Sequence, residues 1–221
     1  MGEFNLLGIQ QKIKRDVRAR MIDKEQNRAK ALKFDWEYFD GPRTQGYGGY
    51  VYDGRWRPVA ERIIERYGLT SGSRLLDVGA AKGFLMKDLQ DALAGLEVWG
   101  IDVSRYAIEH SRPEVAGRIV LGSCDELPWP DRFFDAAVAI NTIHNLERDR
   151  CVITLKELNR VVATPAKTFV QVDAYRNESE RELFEAWMLT AKTYCTPDEW
   201  HALFAEAGYV GDYYWTILEC E

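Results

Sequence analysis

Between residues 73 and 175, short runs of Val, Ile, Leu and Ala alternate with stretches of helical period, and few folds accept that alternation. The segments "SRLLDVGA" (73–80), "EVWGIDV" (97–103), "GRIVLGS" (117–123), "FDAAVAIN" (134–141) and "KTFVQVDAY" (167–175) read as five strands. Helical segments lie between them at "KGFLMKDLQDALAG" (82–95), "RYAIEHS" (105–111), where Ser104 is the expected N-cap, and "DRCVITLKELNRVV" (149–162). Aliphatic strands separated by helices call for an α/β fold with a mostly parallel sheet covered on both faces. Right-handed crossovers make that sheet doubly wound and open a ligand crevice at the carboxyl ends of its strands.

The flanks follow other rules. Residues 1–33 read as helical and surface-exposed, and residues 11–33 hold nine Lys or Arg against three acids. Such a run is either a solvated helix face or an arm that recruits an anionic substrate. Residues 34–56, "FDWEYFDGPRTQGYGGYVYDGRW", combine aromatics and glycines without period, as a functional lid or binding loop does. A helix over "RPVAERIIERYGL" (57–69) is ended by Gly68. The expected organisation is an N-terminal helical arm and aromatic lid over 1–57 and a ligand-binding domain over 58–221. After the fifth strand, "RNESERELFEAWMLTAKTY" (176–194) reads as a helix capped by Asn177. "TPDEWHALFAEAGY" (196–209) carries Thr196, Pro197 and Glu199 in capping-box order. One strand-like run, "DYYWTILEC" (212–220), ends the chain.

Composition narrows the function classes. A net charge of −6 argues against a general nucleic-acid binder. Cys124, Cys151, Cys195 and Cys220 show no metal-ligand spacing, and neither do the three histidines, so no metal is expected. No apolar run approaches the length of a membrane span, and a reducing, cytoplasmic location is the simplest expectation.

The chemistry centres on "RLLDVGAAKGFLMKDL" (74–89). Its loop reads Gly79-x-Ala81-x-Gly83. A dinucleotide fingerprint needs a small residue where Phe84 stands, and a Walker loop needs Gly-Lys-Ser/Thr. Asp77, two residues before the first glycine, repels a pyrophosphate and suits a cationic amino group. Asp102, at the end of the second strand, can take both hydroxyls of a ribose. The ligand implied is a nucleoside carrying an ammonium and no phosphate, and S-adenosylmethionine has those parts.

The segments "LLDVGAAKGF", "VWGIDVS", "VLGSCDELPWPDRFFDAAVAINTIHNL" and "ELNRVV" resemble the class I S-adenosylmethionine-dependent methyltransferases, in the group of the ubiquinone and menaquinone C-methyltransferases. The resemblance covers residues 58–175 and 196–217. It implies a Rossmann-like methyltransferase sheet with S-adenosyl-L-methionine as cofactor. By the resemblance, Asp77, Gly79, Ala81 and Gly83 hold the methionine end and Asp102 the ribose. Ile101 and Val103 flank the adenine, Ser123 and Cys124 meet its edge, and Asn141 sits beside the sulfonium. The chain departs from the family at Ala81 (a glycine in the family), at Ser123 (often an acid), and in showing one strand after the last helix instead of two.

Asn141 and Tyr175 are the candidate catalytic residues, and Asp173 shares the strand end with Tyr175. His144 is a possible base, but a lone histidine is more often structural. Tyr50 and Arg55 are placed in the lid over the cofactor, where Arg55 or Arg43 can clamp a carboxylate. No convincing base is legible, which favours a nucleophilic nitrogen, a stabilised carbanion or an acidic hydroxyl on a small-molecule acceptor. Attack on the aminocarboxypropyl arm of the cofactor, as in the azetidine-2-carboxylate synthases, is the alternative reaction.

Overall fold

The computed structural model describes residues 2–8 and 17–218. Nine helices and six strands follow one another among them. They are α1 (Val17–Met21), α2 (Lys24–Ala31), α3 (Trp36–Phe39), α4 (Arg57–Tyr67), β1 (Arg74–Val78), α5 (Phe84–Ala92), β2 (Glu97–Asp102) and α6 (Arg105–Glu109). Next come β3 (Ile119–Leu121), β4 (Ala136–Ile140), α7 (Arg148–Val161), β5 (Thr168–Asp173), α8 (Glu178–Trp187), α9 (Pro197–Ala207) and β6 (Asp212–Thr216). The strands form one sheet in the order β3-β2-β1-β4-β5-β6, and every pair is parallel. The order reverses between β1 and β4, so the crevice lies at the carboxyl ends of those two strands.

The period of two along each strand divides the core. Leu76, Val78, Ala137, Ala139, Val170 and Val172 face α7 and α9, where Leu155, Leu158, Trp200 and Phe204 are fully buried. Leu75, Ala136, Val138 and Phe169 face α4 and α5, packing on Ile63, Met86 and Leu89. Asp77 is two residues beyond Leu75 and therefore shares the α4–α5 side.

The expected caps are in place. Gly68 ends α4 in the left-handed region at φ 60°. Ser104 accepts from the Ala107 N–H, Asn177 from the Glu180 N–H, and Thr196 and Glu199 close a reciprocal capping box.

Two expectations need correction. Residues 2–8 are not helical: Glu3 bridges Tyr213 in parallel on the outer edge of β6, and Leu6 is fully buried. The reason is the exposed edge, whose unpaired backbone groups need partners. Phe4 N–H donates to the Tyr213 carbonyl and Tyr213 N–H to that of Gly2. A single parallel strand thus follows α9, with the amino terminus on its free side. The helix expected over 176–194 stops at Trp187. Beyond it, the N–H groups of Lys192 and Thr193 donate to the carbonyl of His144, a tertiary bond that replaces the helical ones. Residues 11–16 of the basic run and Cys220 lie outside the described residues.

Candidate cofactor and acceptor cavity

A cavity of about 540 Å³ opens at the carboxyl end of the sheet. That size falls in the range of small-molecule sites, about 300–1,000 Å³. Strand ends make its floor: Asp77 in β1, Gly79 to Ala81 in the following loop, Ile140 at the end of β4 and Asn141 just after it, His144, Asp173 and Thr216. Tyr38, Arg43, Tyr47, Tyr50, Arg55 and Trp56 roof it, and residues 187–191 after α8 form a wall with Arg20 of α1.

Asp77 is 5% exposed. Its carboxylate has no hydrogen bond or ion pair to any described residue. Burial, and then the nearby Asp102 carboxylate, push it up to about 7. A buried carboxylate on a cavity wall is costly until a cation reaches it, so the site fits a ligand ammonium. The loop beside it leaves no slack. Gly79 sits at φ 79°, and a Cβ there would lie 2.1 Å from Thr142 Oγ1. The residues present therefore fit the amino end of S-adenosylmethionine.

Asp102 is held differently. Its Oδ2 accepts from Ala81 N–H at 2.7 Å and its Oδ1 from Ser104 N–H at 2.8 Å. Burial raises its affinity for a proton, and these N–H bonds oppose that rise. Ala81, at φ 50°, occupies a left-handed conformation that costs a non-glycine residue about 1–2 kcal/mol. The charge-assisted bond from its N–H to Asp102, worth about 1.5–3 kcal/mol, offsets that cost and explains how alanine replaces glycine. A carboxylate has about four acceptor positions, so two backbone donors leave Asp102 able to accept more.

The adenine-side residues divide. Val103 is exposed, and Ser123 is half-buried. Ile101 and Cys124, expected at the adenine, instead turn their side chains into the core, where Cys124 Sγ accepts from the Thr154 hydroxyl. Strand alternation is the cause: Ile101 follows the inward parity of Leu76 and Val78. None of Ile101, Asp102, Val103, Ser123 and Cys124 lines the cavity.

Asn141, also at positive φ (53°), lines the floor, and its Oδ1 accepts from Thr216 Oγ1, which accepts in turn from Gln171 Nε2. Tyr175 does not line the cavity, contrary to expectation. β5 ends at Asp173, and the chain then turns to pair with Cys195, carrying the Tyr175 ring to within 6.4 Å of Tyr194.

The roof is fastened by residues the sequence did not single out. Lys82, inside the cofactor loop and 7% exposed, donates to both oxygens of Asp40 at 2.6 and 2.8 Å and to the Tyr50 carbonyl. Asp40 also accepts from the Tyr106 hydroxyl and the Tyr50 N–H. Burial pushes Asp40 up, but these bonds more than compensate and hold it below the usual carboxylate range. Tyr50 stacks on Phe84 at 4.7 Å. Burial raises Tyr38 and Tyr50 above the ordinary phenol value, so both hydroxyls stay protonated. Arg55 reaches the rim with its guanidinium paired to Asp53.

The basic run is structural where it is described. Lys24 donates to the Glu185 carbonyl in the last turn of α8, and Arg28 to the carbonyls of Leu189 and Ala191. Cations at a helix carboxyl end satisfy its orphan carbonyls. Arg20 and Arg43 lie over the Trp187 ring at 4.3 and 5.4 Å. The sequence signal for this was the charge pattern, but nothing local named the acceptors.

Residues 76–170 match the family model described as a methyltransferase domain. The chain is 32% identical over 126 residues to a ubiquinone/menaquinone biosynthesis C-methyltransferase of Citrifermentans bemidjiense, covering 53% of this chain and 52% of that one. It is 30% identical over 110 residues to a demethylmenaquinone methyltransferase of Tropheryma whipplei, covering 47% and 43%. The chain thus spans about half the length of the curated relatives it matches. Among solved structures, the [4+2]-cyclase SpnF shares the fold at a TM-score of 0.56 and 22% identity, covering 69% of this chain and 56% of that one. A chain of the Haloferax volcanii complex of the Trm112 methyltransferase activator with a methyltransferase does so at 0.55 and 20%, covering 67% and 66%. No helix among the described residues is long and apolar enough to cross a membrane. The six-stranded parallel sheet and these matches agree: residues 76–170 match a methyltransferase domain within a Rossmann-like methyltransferase fold.

Proposed function

We propose that this chain transfers the methyl group of S-adenosylmethionine to a small-molecule acceptor bound beneath the aromatic roof. The observation that carries the reading is Asp77, a buried carboxylate on the cavity wall with no cation of the described chain to neutralise it. When bound, the cofactor supplies a methyl group already activated on a sulfonium. The protein's part is therefore binding, alignment and exclusion of water.

Asp77 holds the ammonium, and the backbone at Gly79, Ala81 and Gly83 allows close approach. Asp102 grips the ribose, with Val103 and Ser123 toward the adenine and Ile101 and Cys124 contributing backbone only. Asn141 orients groups at the floor, fixed by Thr216 and Gln171. Tyr50, stacked on Phe84, keeps water from the reacting centre, and Arg55 exchanges Asp53 for the ligand carboxylate at the rim. The uses of Lys24 and Arg28 within the fold support a small acceptor over a nucleic acid.

The test is product analysis. Incubation with cofactor alone should release neither S-adenosylhomocysteine nor methylthioadenosine, and S-adenosylhomocysteine should appear once an acceptor is added. Methylthioadenosine formed from cofactor alone would show attack on the aminocarboxypropyl arm and refute the proposal. Methylation of folded proteins would refute the small-molecule acceptor.

A further inference from the structure

Two side chains of the cavity floor, His144 and Asp173, have no part in holding the cofactor. Both line the cavity, from the turn after β4 and the end of β5. Asp173 N–H donates to His144 Nδ1 at 3.1 Å. A backbone N–H can only donate, so Nδ1 is the acceptor and the ring proton sits on Nε2. That nitrogen lies 3.2 Å from Asp173 Oδ2. The imidazole therefore turns both nitrogens toward one residue and has no lone pair left for an incoming proton.

The pair is held from outside as well. Trp200, fully buried, donates its indole N–H to the Asp173 carbonyl at 2.9 Å. The His144 carbonyl accepts from Lys192 and Thr193. The His144 side chain is 5% exposed and that of Asp173 16%, so the carboxylate is the more open member.

We propose that Asp173 takes the proton of a protic nucleophile, a small molecule methylated on oxygen or nitrogen, and that His144 is the positioning residue that aims the carboxylate. This rests on the methyl-transfer reading above. The acceptor's electron pair forms the new O–C or N–C bond, the carbon–sulfur pair returns to the departing thioether, and the acceptor proton goes to Asp173. The base that could not be found in the sequence is thus a strand-end acid. Among the described residues, the other charged side chains lining the cavity are Asp77 from β1, Arg20 from α1, and Arg43 and Arg55 from the roof.

The experiment begins with a small-molecule cell extract and methyl-labelled cofactor, with products identified by mass spectrometry. A labelled methyl on oxygen or nitrogen is expected, and one on carbon overturns the proposal while leaving methyl transfer intact. No labelled product, or methylthioadenosine alone, overturns the methyl-transfer reading itself. With the acceptor in hand, Asp173→Asn should lower turnover about 10²–10⁴-fold. Its S-adenosylhomocysteine affinity should stay within about twofold of the parent's. Asp173→Glu should recover part of the turnover, and His144→Gln should shift the acid limb of the kcat/KM profile, which a purely structural role would not move. Retention of turnover, or of the acid limb, in Asp173→Asn overturns the assignment. Ring-nitrogen NMR of the unliganded protein should report His144 as the neutral Nε2–H tautomer, and the Nδ1–H form would contradict the positioning role.

Discussion

The floor and the roof of the cavity meet the same ligand space but are built on different principles. The floor is a set of strand ends, each residue fixed by local geometry: Asp77 by the parity of β1, Ala81 by its N–H bond to Asp102, Asp173 by His144 and Trp200. The roof is brought in from far along the chain and fastened at a few polar points, above all Asp40 on Lys82, 42 residues apart. In the proposed function, chemistry falls to the rigid part, and access and water exclusion to the fastened part. The two can therefore be perturbed separately.

The largest expected effect belongs to the floor. Asp77→Asn should weaken S-adenosylhomocysteine binding about 10–150-fold, the worth of a charged hydrogen bond of about 1.5–3 kcal/mol, while the fold persists. Calorimetric titration checks it, and an equal loss in a roof variant would erase the distinction. Lys82→Met should act in the opposite way, leaving Asp40 without its cation. About 1–3 kcal/mol of stability should be lost, read as a melting temperature lowered by about 2–4 °C per kcal/mol. Smaller again is Arg28→Ala, which frees the carbonyls of Leu189 and Ala191. Its cost should be about 1 kcal/mol by denaturant titration, with cofactor affinity unchanged because Arg28 bonds neither Asp77 nor Asp102. Smallest is Ala81→Gly, which relieves the left-handed strain at the expense of unfolded-state entropy and should move stability by less than about 1 kcal/mol.

The same contrast explains what the sequence disclosed. Strand parity, the Gly79–Gly83 loop, the Ser104 and Asn177 caps and the Thr196–Glu199 box are local, each read from neighbours a few residues away. The expectation for Tyr175 failed because strand period was carried past the end of β5, where pairing with Cys195 redirects the chain. Ile101 and Cys124, expected at the adenine, have side chains that obey the core's parity. The anchors of the roof and wall are non-local: Arg28 meets its carbonyl partners 161 and 163 residues away. Leu6 is buried because β6 has an open edge, and no pattern around residue 6 reports that.

Asp77 also links ligand to proton. Burial raises its pKa in the folded chain, so its ionisation costs the unliganded protein stability as pH climbs from the ordinary carboxylate value toward about 7. A bound ammonium favours the ionised form and reverses that sign. The decisive measurement is the affinity for S-adenosylhomocysteine across pH 5.5–8.5, in the parent protein and in Asp77→Asn. The parent should bind progressively more weakly as pH falls below about 7, approaching tenfold per unit, and the variant should show a weak, nearly flat profile. Superimposable profiles of equal affinity would contradict the claim that this carboxylate receives the ligand's amino group.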